Sequence, residues 1–144
     1  MIVTDASFLV MALGDDGADG TQARERLRGE EVAAPHLVDV EVISVLRRSV
    51  LTGTVTGQRA SQALQDLTDV AIERVGHSTI LPRVWELRDN YTAYDACYVA
   101  VAELFHAPLL TYDAKMANAT GARCTFEVFP DRRASCRERV FNWV

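Results

Sequence analysis

Short apolar runs near residues 1–4, 32–34, 72–75, 108–111 and 125–129 alternate with longer stretches of helical periodicity, and no two runs are joined by a two-residue hairpin turn. Parallel neighbours in a sheet need a crossover of about a dozen residues or more, usually a helix, whereas antiparallel neighbours do not. Strands that are apolar throughout, rather than alternating, belong to sheets covered on both faces. The pattern predicts an α/β domain of three layers, α/β/α, around a central, mostly parallel sheet of four to five short strands.

The helices follow from the spacing of apolar residues. Phe8, Leu9, Met11, Ala12 and Leu13 cluster after the first strand, and a turn-rich stretch over 14–20 precedes a polar helix over 21–28. Leu37, Val38, Val42, Val45, Leu46 and Val50 predict a helix to about Leu51, closed by Gly53. Ala60, Ala63, Leu64, Leu67 and Val70 mark another within 56–71. Further helices are expected over 79–88 and from Thr92, the latter with Ala96, Val99, Ala100, Ala102 and Leu104 as its apolar positions.

A chain of 144 residues suits one domain, since domains commonly run to about 100–200 residues. That domain is expected over residues 1–130, because the pattern stops after Pro130. Residues 131–144 form an Arg-rich tail, natural or added, that completes no βα unit. The formal net charge is −5, and residues 1–130 hold 11 basic and 18 acidic side chains. This is the opposite of the basic stripe of a protein that coats nucleic acid. No run reaches the roughly 20 apolar residues of a membrane span, and no basic segment leads into an apolar leader. Cys97, Cys124 and Cys136 are odd in number and lack CxxC spacing. A soluble, cytoplasmic protein without a zinc site is therefore expected.

In open parallel sheets the ligand crevice lies at the carboxyl ends of the strands. Asp5 and Asp113 each follow a predicted strand directly and are expected at the same sheet edge. Either can equally serve as a helix N-cap, a role Asp performs well. Asp95, three residues after Thr92, fits a capping box at the start of an apolar helix. Glu41 is set among Leu37, Val40, Val42 and Val45, where a carboxylate is costly to bury without a partner; the alternative is a snorkelling surface Glu. Four such acids at one edge would repel each other, and a cation would relieve the repulsion. Oxygen-only donors favour Mg²⁺ or Mn²⁺ over zinc. His36, His77 and His106 are scattered, without metal-binding spacing.

Four segments taken together resemble the motifs of PIN-domain nucleases, most closely the VapC toxins of bacterial toxin–antitoxin pairs. They are Val3-Thr4-Asp5-Ala6-Ser7, Leu37-Val38-Asp39-Val40-Glu41-Val42 with Leu46-Arg47-Arg48, Tyr94-Asp95-Ala96-Cys97-Tyr98-Val99-Ala100, and Leu110-Thr111-Tyr112-Asp113. Trp85-Glu86-Leu87-Arg88 adds to the likeness, which covers nearly all of residues 1–130. Ser44 departs from it, standing where many relatives carry Asn. The resemblance implies a Mg²⁺- or Mn²⁺-dependent endoribonuclease that hydrolyses RNA phosphodiesters, with Asp5, Glu41, Asp95 and Asp113 as catalytic metal ligands and Thr111 and Ser7 supporting them. It further implies a cognate VapB-type antitoxin and a homodimer. Arg47, Arg48, Arg88 and Lys115 are candidates for RNA contact at the rim. Two other readings stay open. A phosphoacceptor receiver domain calls for adjacent acids after the first strand, where this chain has Ala6-Ser7. A non-catalytic PIN-type binding module would keep the fold without the chemistry.

Overall fold

The computed structural model describes residues 1–130; the basic tail expected over 131–144 lies outside the described residues. The elements are β1 (Ile2–Thr4), α1 (Ala6–Gly14), α2 (Ala18–Leu27), β2 (Val32–Pro35), α3 (Leu37–Leu51), α4 (Gly57–Asp69), β3 (Ile72–Val75), α5 (His77–Glu86), α6 (Ala93–Leu104), β4 (Leu109–Thr111), α7 (Ala114–Asn118) and β5 (Phe126–Val128). Five strands form one sheet in the order β3-β2-β1-β4-β5, and every described pairing is parallel. The sheet is thus wholly, not mostly, parallel over the described residues.

Burial follows from this order. The three inner strands are buried at every position, whereas β3 and β5, at the edges, are only partly covered. Side chains alternate across the sheet. Ile2 pairs with Val32, and both lie in one apolar cluster with Phe8, Met11 and Leu110. Val3 pairs with Ala33 and Leu109, and all three lie in the larger cluster with Leu9, Val42, Val99 and Val101. Helix α1 packs on α2, α3 and α4, while α5 packs on α6, which lies over β1 and β2.

Two features escape the periodicity. Helix α7 is five residues long, too short to show a repeat at 3.6 residues per turn. His36 and His77, scattered in sequence, come together, with ring centroids 6.4 Å apart. His36 occupies the N-cap of α3 but makes no side-chain cap bond. Instead Leu37 N–H, in the first turn of α3, donates to His77 Nε2 at 3.0 Å. A histidine at the start of α5 therefore caps the helix that carries Glu41. His77→Ala is expected to cost about 1 kcal/mol, the usual worth of a cap. In thermal unfolding this would read as a Tm lowered by roughly 3–5 °C.

Candidate functional site

The topology brings the four sequence-distant acids to one place. Asp5 follows β1 and Asp113 lies beyond β4, the neighbouring parallel strand, so both stand at its carboxyl edge. Glu41 comes from the second turn of α3 and Asp95 from the first turn of α6. All four line a single cleft of about 290 Å³, together with Ser7, Asn90, Tyr91, Thr92, Tyr98 and Lys115.

The capping role and the cleft role turn out to be compatible. Asp5 Oδ1 accepts from Phe8 N–H at 2.9 Å, capping α1, and from the Ser7 hydroxyl at 2.7 Å. Its other oxygen accepts from the Thr111 hydroxyl. Thr111 Oγ1 also accepts from Asp113 N–H at 2.9 Å, so one hydroxyl ties together the two acids that follow strands. Asp113 Oδ1 caps α7 by accepting from Lys115 N–H at 2.9 Å. At Asp95 half of the expected capping box forms: its backbone N–H donates to Thr92 Oγ1 at 3.1 Å, which leaves the carboxylate to face the cleft. Glu41 is buried at 5% exposure, not snorkelling. It accepts from the Tyr98 hydroxyl at 2.5 Å.

Burial and like charge act together on these groups. Burial pushes the Glu41 carboxyl up to about 7, with Asp95 and Asp5 adding to the rise and the Tyr98 hydrogen bond opposing it. Asp95 is pushed up to about 7 by burial, then by the charges of Asp113 and Asp5. Asp5 is raised chiefly by burial, against the hydrogen bonds from Thr111, Ser7 and Phe8. Carboxylates perturbed by desolvation and like charge within one cleft are candidates for a functional site.

The donors around the cleft suit a hard divalent cation. Elsewhere acids are matched by guanidinium groups: Asp16 by Arg59, Asp39 by Arg74 and Glu103 by Arg83. Among the described residues none of Asp5, Glu41 and Asp95 is in an ion pair. Their partners are hydroxyls and a backbone N–H, which orient a carboxylate without cancelling its charge. Among the described residues no group of three or more His, Cys, Asp or Glu side chains is gathered closely enough to hold a metal ion. Mg²⁺ does not demand such a group, since it keeps several waters and takes one or two carboxylates plus substrate phosphate.

Thr111 and Ser7, expected to support the acids, both donate to the Asp5 carboxylate. Of the four candidate cations at the rim, only Lys115 lines the cleft. Arg47 lines a separate apolar groove with Ile43, Leu46 and Leu64. Arg48 lies on α3 outside the cleft lining. Arg88, in the turn that follows α5, places Cζ 4.4 Å from the centroid of the exposed Trp85 ring and donates to the Trp85 carbonyl at 2.8 Å. Tyr98 was not singled out by the sequence. Its signal is weak: a phenol one turn after Asp95, in a run otherwise made of small and apolar residues.

Known proteins resemble the chain over most of its length. The family model described as PIN domain matches residues 2–122. The VapC ribonuclease Mb0985 of Mycobacterium bovis is 38% identical over 130 residues, 90% of this chain and 99% of that protein. Ribonuclease VapC1 of Mycobacterium tuberculosis is 39% identical over 127 residues, 88% of this chain and 96% of that protein. Among solved structures, PAE2754 from Pyrobaculum aerophilum shares the fold, with a TM-score of 0.62 and 21% identity over 87% of each chain.

Proposed function

The chain belongs to the PIN-domain family, and from that membership we propose that it is the ribonuclease of a toxin–antitoxin pair, hydrolysing RNA phosphodiesters in the four-acid cleft. The observation that carries the reading is the convergence of Asp5, Glu41, Asp95 and Asp113 on one cleft, with no arginine among the described residues set against the first three. Asp5, Glu41, Asp95 and Asp113 would hold Mg²⁺ or Mn²⁺. Bound there, the ion supplies activation of a water and stabilisation of the leaving oxygen.

The chain's own residues do the rest. Thr111 and Ser7 fix the Asp5 carboxylate from two sides. Lys115, exposed at the rim, offers the positive charge that a phosphate backbone requires on an otherwise acidic surface. We assign the activity to residues 1–130. Under the same proposal a VapB-type antitoxin covers the acidic cleft, the working form is a homodimer and the compartment is the cytoplasm. Among the described residues no helix is long and apolar enough to cross a membrane.

The test is cleavage of structured RNA by the purified chain with Mg²⁺ or Mn²⁺ and with chelator. Cleavage in the metal arms alone is expected. Cleavage that survives chelation would overturn the metal assignment. Metal binding without cleavage of any RNA would favour a non-catalytic binding module.

A further inference from the structure

Tyr98 joins the two helices that bring Glu41 and Asp95 to the cleft. It lies on α6 three residues after Asp95, and residues at that spacing share a helix face. Its side chain is 1% exposed and its hydroxyl donates across to Glu41 Oε1, on α3, at 2.5 Å. Among the described residues this is the one hydrogen bond that reaches the Glu41 carboxylate. A buried carboxylate with a single donor is held in one orientation by that donor.

The nature of the donor matters as much as its position. An arginine here, like Arg74 on Asp39 or Arg83 on Glu103, would take both carboxylate oxygens and cancel the charge. A phenol takes one and leaves the charge in place. Resting on the metal reading above, we infer that Tyr98 is a positioning residue: its hydroxyl engages one oxygen of Glu41 and keeps the other turned into the cleft for the cation. The ring also packs in the main apolar cluster, so the hydroxyl has to be tested apart from the ring.

Tyr98→Phe keeps the ring and removes only the hydroxyl. Calorimetric titration with Mn²⁺ alone, without RNA, is expected to show affinity lowered about tenfold to a hundredfold, the usual effect of losing a group that orients a metal ligand. Glu41→Asp withdraws the carboxylate from an intact phenol and is expected to give a loss of the same order. In a Glu41→Gln background the Tyr98→Phe change is expected to add no further loss. Mn²⁺ affinity of Tyr98→Phe within about twofold of the unaltered chain, well short of that tenfold loss, would overturn the inference. So would an undiminished loss in the Glu41→Gln background, because Tyr98 would then act by another route. Absence of Mn²⁺ binding by the unaltered chain is a separate result that would overturn the metal reading itself.

Discussion

Asp95→Asn is expected to lose RNA cleavage by more than about a hundredfold, beyond the range seen when only a supporting group around a metal is removed. The same change is expected to make the metal-free protein more stable at pH 8. The amide removes a charge that burial and the neighbouring Asp113 and Asp5 disfavour. The cap is spared, because Thr92 is bonded by the backbone N–H of residue 95 and not by its side chain. A gain of about 1–2 kcal/mol is expected, discounted for partial solvent screening. Asp5→Asn provides the contrast. Both of its carboxylate oxygens accept hydrogen bonds, from Phe8, Ser7 and Thr111, so an amide keeps one acceptor oxygen and leaves the Thr111 hydroxyl without the acceptor it donates to, and inactivation is expected without the stability gain of Asp95→Asn. Single-turnover cleavage and thermal unfolding in chelator measure both variants. Near-normal cleavage by Asp95→Asn would sink the catalytic assignment.

The second large effect is a dependence of stability on pH that metal reverses. Glu41 and Asp95 titrate near 7 in the folded chain, against 4.5 and 3.8 as reference values. The folded state therefore holds protons that the unfolded state has already released. Stability then falls as pH rises from about 4 toward 7, and levels off above it. The two groups together would account for a loss on the order of 2–4 kcal/mol, allowing for their coupling. Asp16 and Glu103 are shifted the other way by Arg59 and Arg83. Their contribution is lost only at acid pH, below this window. Held by these acids as proposed, Mg²⁺ or Mn²⁺ would bind their ionised form and compete with protons. The difference in Tm between metal and chelator should accordingly be small at pH 5 and large at pH 7.5. A difference independent of pH would show that the ion does not bind at these acids.

How much of this was legible in the sequence depended on whether the determining contact was local. Asp5 and Asp113 could be placed at one edge because a short apolar run followed at once by an acid fixes position in a parallel sheet. Capping a helix and lining the cleft proved compatible, since a carboxylate has enough lone pairs to cap and still face the cleft. The apolar neighbours of Glu41 implied burial, but not the phenol that makes burial tolerable, because Tyr98 lies 57 residues away. His77 capping α3 across 40 residues was equally out of reach. Arg88 lies in the turn after α5, and nothing in the sequence showed that its guanidinium would sit over the Trp85 ring.

The position of β4 in the sheet sets the moment at which the cleft can exist. Thr111 and Asp5 meet across a separation of 106 residues, and β4 fills a slot beside β1 that no earlier strand occupies. During synthesis, which delivers the amino-terminal part first, β1, β2 and β3 can pair while one edge of β1 waits. Through that interval Asp5 lacks Thr111, and Asp113 is absent altogether. A chain interrupted before β4 therefore carries at most three of the four acids and not the assembled cleft, so the proposed chemistry is withheld until β4 and Asp113 have been added.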